Sequence, residues 1–416
     1  MSHPQAYIGI FALARRQGAS ARYGEQAPFY AKLMRVGLAR GAAVYLFGPA
    51  DIDWRNRQVW GRTYSPQRGG WVRRPYPLPQ AVYNRYPAAA YTSLVTSTIA
   101  RLKANGSPFI NSPFLDKYHL HQRLLRLPGL QQHLPETLPC QGSAAAPLQL
   151  LHRHAAIYLK PVDGSLGSGV VRVRRLSGSR YHVAGRIGGR RLAREVGPAG
   201  LAPVLRRIVS SRRYLVQQGL DLGVVPGRAA DIRALVQRDE RGSWQLTGMA
   251  LRVGAGGSVT SNLHGGGHAV HVEQALRSFF GPARTPPIMA EVRRVLGLFV
   301  AGLETTLGPM GELGMDLGVD VKGHVWYIES NPKPGRAILA HLHATRARAL
   351  SISRPVDYAI CLARRGHNRS LPPPNFELAE TAIPPLLLDQ PEAAPVETDA
   401  AQDQQEPRQQ QQEASR

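Results

Sequence analysis

The stretch from Gly311 to Arg336, GELGMDLGVDVKGHVWYIESNPKPGR, constrains this chain more than any other. Two strand-like runs flank Lys322-Gly323, a pair suited to a two-residue hairpin turn. With the pairing centred there, Asp316 lies directly opposite Glu329, and the two-residue alternation of a strand puts Asn331 on the same face. Two carboxylates and an amide oxygen then converge on one spot. Facing carboxylates repel unless a cation lies between them, and an all-oxygen set with room for water suits Mg²⁺ carried by phosphates. The alternative is a solvated hairpin face on which acids meet by chance. The apolar flanks and the abrupt stop at Asn-Pro-Lys-Pro-Gly favour the metal reading.

A second constellation precedes it. In AAIYLKPVDGSLGSGVVRV a strand ends in Lys160-Pro161, and a loop with Gly164, Ser165, Gly167 and Gly169 leads into the next strand. Glycines let backbone N–H groups close around phosphate oxygens, and Lys160 adds an ammonium. The order is not that of a P-loop, and a plain turn is the alternative. A lysine in an otherwise apolar strand is costly to bury without an anion, which favours a phosphate site. Between the two lie a hinge-like strand end, Gln217-Gln218-Gly219-Leu220, and a strand on which Asp231 and Arg233 share a face. Arg252 ends the strand after the turn at Arg241-Gly242, and Asn262 and His264 precede three glycines. Arginines aimed at a phosphate site would stabilise a transferring phosphoryl group. With 46 arginines in the chain, any one of them also reads as a surface residue.

Charge and composition narrow the class. The net charge is +24, but residues from Leu371 onward carry −7 and the body +31. Such a body favours polyanions. Arginine outnumbers lysine 46 to six, so each remaining lysine marks a place where a compact ammonium is wanted. No zinc-ligand spacing or RNA-binding signature accompanies the charge, so no specific nucleic acid is expected. No stretch approaches eighteen consecutive apolar residues, and the two cysteines, Cys140 and Cys361, form no disulfide framework; a cytoplasmic protein without a membrane partner is expected.

The pattern of elements is α/β. Strand, helix and strand over 6–47 open a smaller domain, with a helix over 88–103, and that domain closes at residue 110. Strands follow at 156–162, 169–175, 213–218, 231–237 and 244–252. A helix over 287–306 carries Ile288, Val292, Val295, Leu296, Phe299 and Leu303 on one face. Further helices are expected at 337–349 and 355–365, the last with Pro355 in its first position. The Pro-, Gln- and Glu-rich segment 371–416 cannot bury enough surface to order itself and is expected to be disordered and dispensable.

These pieces in this order resemble the ATP-grasp superfamily. AVYNR, NSPFLDKYHLHQRLL, LPET, YLKPVDGSLGSGV, DIRALVQ and ESNPKPGR look like the YheC/YheD family of endospore coat-associated proteins, over residues 6–366. The resemblance implies α+β subdomains: an N-terminal pre-ATP-grasp domain over 1–110 and an ATP-grasp fold over 111–370, with a lid hairpin near 156–175. It implies ATP and Mg²⁺ as cofactors, Lys117, Lys160, Gly164, Ser165 and Gly167 as nucleotide contacts, and Gln217, Gln218, Gly219 and Leu220 as the hinge that meets adenine. It assigns the metal to Asp316, Glu329 and Asn331, and the catalytic roles to Arg252, Arg233 and Asn262. Many relatives have Glu where Gln218 stands, which puts ribose contacts in question. The implied chemistry is an ATP-dependent carboxylate–amine ligase acting through an acyl phosphate, with the carboxylate and amine open and spore coat proteins as partners. The rival is a non-catalytic ATP-binding component of the spore coat.

Overall fold

The computed structural model describes residues 4–17, 20–87, 90–111, 116–163, 168–263, 266–365 and 376–377. Among these the chain builds three large sheets. The first has four parallel strands, and Gln58–Ser65, Ile52–Asp53 and Gly70–Pro77 add an antiparallel part at one side. Strand Ala6–Phe11 lies at its centre between Ala42–Phe47 and Ala81–Asn84, and Phe109–Ile110 extends it beyond Ala81–Asn84. Helix Ala27–Ala39 makes the crossover on one face and helix Ser93–Ala104 covers the other. Gly37 in the first helix is a packing residue, since a Cβ there would lie 2.2 Å from the Val44 side chain.

The second sheet is antiparallel. Its order is Thr137–Pro139, Tyr214–Gln218, Ala156–Pro161, Val171–Arg175, Tyr181–Ile187, Arg190–Val196. Helices Ala145–Arg153 and Pro198–Val209 bury one face of it against Ile157, Leu159, Val171 and Val173. The expected lid hairpin is therefore the middle of a larger sheet. Strands Thr137–Pro139, Tyr181–Ile187 and Arg190–Val196 and both helices went unread in the sequence.

The third sheet runs His268–Val270, Trp244–Val253, Ala230–Arg238, Glu312–Val319, Val325–Asn331. Helix Thr285–Leu307 packs its stripe of Val292, Val295, Leu296, Phe299 and Leu303 on this sheet, with helix Val272–Phe280 beside it. The Phe299 ring stacks on Tyr327 at 4.1 Å and 2°. Strands Ala230–Arg238 and Glu312–Val319 are central and almost wholly buried, so the charged residues they carry must find partners inside the protein.

Several expectations need correcting. The turn at Lys322 is one residue longer than expected: the Asp320 N–H donates to the His324 carbonyl and the Gly323 N–H to the Asp320 carbonyl. A bulge at Ile328 then absorbs the extra residue, moving the register from Leu317↔Tyr327 to Asp316↔Glu329. The facing acids are observed, but through two offsets that cancel. Helix Thr345–Arg365 runs straight through Pro355, which does not start a helix. Proline removes the N–H that would bond the Ser351 carbonyl, and Gln237 Nε2 and Arg336 Nε supply that carbonyl instead at 3.2 and 2.9 Å. The helix expected over 337–349 breaks after Ala337–His341, and the one expected from 88 begins at Ser93. Phe376–Glu377 pairs in parallel with strand Trp244–Val253, so these two residues of the segment expected to be disordered belong to a sheet.

Elements on either side of residue 110 share one core. Helix Thr345–Arg365 contributes Val356, Tyr358 and Ala359 to the core under the first sheet. Nearby, the buried Glu312 carboxylate accepts from Tyr83, Arg85, Asn111, Gln237 and Arg336 at 2.5–3.3 Å. One carboxylate thus joins the first sheet to the third. Because Phe299 is fully buried against Tyr327, Phe299→Ala is expected to cost about 3–5 kcal/mol in urea unfolding and to broaden the environment of Tyr327.

Candidate functional site

A cleft opens between helix Lys117–Leu124, the second sheet and strand Val325–Asn331. The helix starts where Asp116 caps it, accepting from the Tyr118 and His119 N–H groups at 3.1 and 3.0 Å. That cap puts Lys117 in the first turn and His121 one turn on, both lining the cleft. Lys117 Nζ lies 3.2 Å from Glu329 Oε2. From the other side Lys160 Nζ donates to Gln217 Oε1 at 2.5 Å, and Gln217 Nε2 donates to Thr137 Oγ1 at 3.0 Å. Burial pushes the Lys160 ammonium down to about 8, with attraction to Glu329 opposing and repulsion from Lys117 adding to the effect. Burial, then the nearby Lys160, pushes His121 down to about 4, so it is neutral at physiological pH. The scarce lysines at 117 and 160 do meet across one space.

Behind this space four charges alternate across three neighbouring strands. Arg252 grips Asp231 with two bonds of 2.7 Å, and Ser261 Oγ adds a third at 2.6 Å. Arg252 Nη2 also lies 2.8 Å from Asp316 Oδ2. Arg233 closes the chain, with its Nη2 on Asp316 Oδ2 at 2.9 Å and its Nε on Oδ1. The strand register dictates this, because Asp231 is the cross-strand neighbour of Arg252 and Arg233 that of Asp316. Burial works against an ionised Asp316, but Arg233 and Arg252 outweigh it and hold the carboxyl below its ordinary range. Burial dominates at Asp231 and leaves it raised. The arginines expected to face a phosphate therefore rest on carboxylates here.

The donor set expected to hold a metal is brought together in part. Asp316 and Glu329 are paired neighbours, with Asp316 buried and Glu329 half-exposed. Asn331 is exposed, and its Oδ1 accepts from the Lys333 N–H at 2.9 Å, as a turn cap. Among the described residues no group of three or more His, Cys, Asp or Glu side chains is placed to hold a metal. Two carboxylates and an amide are too few oxygens for Mg²⁺ alone, and they suit a cation that brings phosphate and water ligands with it.

Residues 106–362 match the family described as YheC/D-like ATP-grasp. The chain belongs to that family. The endospore coat-associated protein YheD of Bacillus subtilis (strain 168) is 26% identical over 370 residues, covering 87% of this chain and 80% of that protein. YheC of the same organism, also endospore coat-associated, is 23% identical over 335 residues, covering 79% of this chain and 88% of that protein. A solved structure of the ATP-grasp ligase PsnB complexed with minimal precursor, Mg, and ADP overlaps 88% of this chain and 100% of its own, at 15% identity and a TM-score of 0.49.

The segment expected to form the hinge, Gln217–Leu220, has a definite backbone arrangement. The Gln218 N–H donates to the Glu136 carbonyl and the Gly219 N–H to the Ala156 carbonyl, both at 2.8 Å. Gly219 is required, since a Cβ there would lie 2.7 Å from the Ala156 backbone. The Gln218 side chain accepts from the Glu136 N–H at 3.2 Å, so a structural contact engages the residue that differs from the Glu of many relatives. Leu220 follows, half-buried. Asn262 follows Ser261, the hydroxyl on Asp231. Gly164, Ser165, Gly167 and His264 lie outside the described residues. His121, Thr137 and Tyr327 line the cleft and were missed. His121 was within reach of sequence reasoning, being four residues beyond Lys117 on the same helix face.

Two outcomes follow from these electrostatics. Lys160 has a folded pKa of about 8 against an ordinary 10.5, so between those values the unfolded chain holds more protons and stability rises with pH. Lys160→Met should lack that rise in urea titrations and should be more stable than the parent near neutral pH by up to about 3 kcal/mol. Asp316→Asn has the opposite sign. It leaves Arg233 and Arg252 sharing Asp231 alone, and a loss of about 3–5 kcal/mol in the same assay is expected.

Proposed function

We propose that the cleft binds Mg-ATP and that the protein is an ATP-dependent carboxylate–amine ligase. The observation that carries this reading is the meeting of Lys117 and Lys160 with Glu329, the partner of Asp316, in one space. Buried ammonium groups suit phosphate oxygens, and facing carboxylates suit the metal those oxygens bring. Residues 111–370 would carry the nucleotide, the second sheet acting as lid, with adenine at the hinge Gln217–Leu220. Asp316, Glu329 and Asn331 would hold Mg²⁺, which when bound supplies a positive charge that offsets the phosphate oxygens.

The chain's own residues have separate tasks in this reading. Lys117 and Lys160 position the phosphates and offset charge that develops at the γ-phosphoryl group. A substrate carboxylate oxygen bonds to the γ-phosphorus, the bond to the β–γ bridging oxygen breaks, and ADP leaves. An amine nitrogen then bonds to the acyl carbon, phosphate leaves, and the amine gives up a proton. Arg252 and Arg233, and Asn262 from the segment that carries Ser261, would serve the transferring group, the arginines turning to it from Asp316. The Ser261 hydroxyl and Arg252 keep Asp231 satisfied and hold the strand ends in place.

A second reading draws on the same ion network. Four buried charges that already satisfy one another form a site that stands without chemistry, as a non-catalytic nucleotide-binding component would have. Association with the spore coat is proposed for either reading, from the names of the two Bacillus subtilis relatives. Among the described residues no helix is long and apolar enough to cross a membrane. Thermal shift tests the shared part: Mg-ATP is expected to raise the melting temperature of the parent protein and to have no effect on Lys160→Met. No shift in the parent would sink both readings. ADP release on adding carboxylates and amines separates the ligase from the non-catalytic component.

A further inference from the structure

In the second sheet, Lys160 stands in line with further cations. Ile157, Leu159, Val171, Val173 and Val183 pack under the helices, so Tyr158, Lys160, Arg172, Arg186 and Arg191 occupy the opposite face, which borders the cleft. Arg186 is directly opposite Arg191. The Arg186 N–H donates to the Val170 carbonyl, and Val170 is the neighbour of Lys160, one step beyond the Leu159↔Val171 pair. Lys160, Val170, Arg186 and Arg191 therefore make one row across four strands, about 14 Å long at ordinary strand spacing.

Like charges set directly opposite one another destabilise a sheet. Arg190 and Arg194 on the outermost strand suit protection of an open edge, but Arg186 is on an inner strand and has no such use. Beside the row, the Nε of Arg172 is buried with no hydrogen-bond partner among the described residues. The segment that follows strand Trp244–Val253 reaches over part of this face: Val259 is buried with Val170 and Ala184, and a Cβ on Gly257 would lie 2.9 Å from Arg191 Nη2. The cations thus run from the phosphate-facing lysine, past the 254–261 segment, out to solvent.

We propose that this row binds an acidic polypeptide segment, extended across the inner face of the second sheet and delivering a carboxylate to the cleft. The delivery rests on the ligase reading; the binding does not. A single small acid cannot engage a row of about 14 Å, whereas four residues of extended chain span about 13 Å. A nucleic acid strand fits less well. Such strands lie on exposed aromatic platforms, and the ring on this face, Tyr158, packs against Val170, Ala184 and Val259.

Fluorescence anisotropy with labelled hexaglutamate tests the proposal on the full chain, alongside a labelled hexathymidylate strand. The test variant is Arg186→Gln with Arg191→Gln. The control is Arg206→Gln with Arg207→Gln, exposed residues on the helix behind the sheet. Hexaglutamate affinity should fall at least tenfold in the test variant, with the salt slope lower by about two, and change less than twofold in the control. Equal losses in both variants would mean diffuse charge and overturn the proposal. Tighter binding of the nucleic acid, lost in the same variant, would overturn it in favour of that ligand. Mg-ATP thermal shift runs in parallel. A shift without hexaglutamate binding overturns this proposal alone, and hexaglutamate binding without a shift overturns both nucleotide readings while the binding proposed here stands.

Discussion

The alternating chain Asp231, Arg252, Asp316, Arg233 is the constraint on which the site depends. Four buried charges on adjacent strands would each be prohibitive alone, and together they are tolerable only in one register. A slip of one residue in strand Ala230–Arg238 would turn both Asp231 and Arg233 to the other face and leave Arg252 and Asp316 unpaired. The network therefore specifies the sheet rather than adding much to its stability. It also fixes Asp316 as an ionised carboxylate, and through the bulge at Ile328 it fixes which residue of the next strand faces it. Glu329 meets Lys117 because of a register set on strands that Lys117 does not touch.

Much of this was legible because it follows from period and pairing. The alternation of the Asp316 and Glu329 strands, the apolar stripe from Ile288 to Leu303, and the isolated Lys160 each follow from a local rule. What escaped lacks a local signature. Strands Tyr181–Ile187 and Arg190–Val196 carry charge on the exposed face, and Arg194 sits opposite a buried Val183, so their alternation is blurred. The passage of a helix through Pro355 depends on Gln237 and Arg336, more than a hundred residues and nineteen residues away, serving the orphaned Ser351 carbonyl. The longer turn and the bulge cancel, so a reading that assumed neither found the right facing pair. Thr137 enters the cleft because its short strand sets it opposite Gln217, which bridges it to Lys160.

The joint around Glu312 explains why the first sheet belongs to the site although none of its residues lines the cleft. A buried carboxylate that accepts from Tyr83, Arg85, Asn111, Gln237 and Arg336 ties the C-terminal end of strand Ala81–Asn84 to the start of strand Glu312–Val319. Asp316 is four residues further along that second strand, on the same face. Helix Thr345–Arg365 fills the space between the two sheets, so a shift of the first sheet would carry the strand bearing Asp316 with it.

Charge balance across the cleft gives the physical reason for it to take an anion. Lys117, Lys160, Arg233 and Arg252 face Asp231, Asp316 and Glu329, and His121 is neutral, so the cleft holds one cation more than its carboxylates can match. The surplus falls on Lys160, whose hydrogen bond is to a neutral amide. Its depressed pKa measures the cost of that arrangement, about 3 kcal/mol if the whole displacement from 10.5 to about 8 is counted. Phosphate oxygens would remove the cost as they bind, and would also offset the repulsion from Lys160 that adds to burial in keeping His121 neutral. The destabilisation of the free cleft and its preference for an anion are then one quantity, located on one ammonium group.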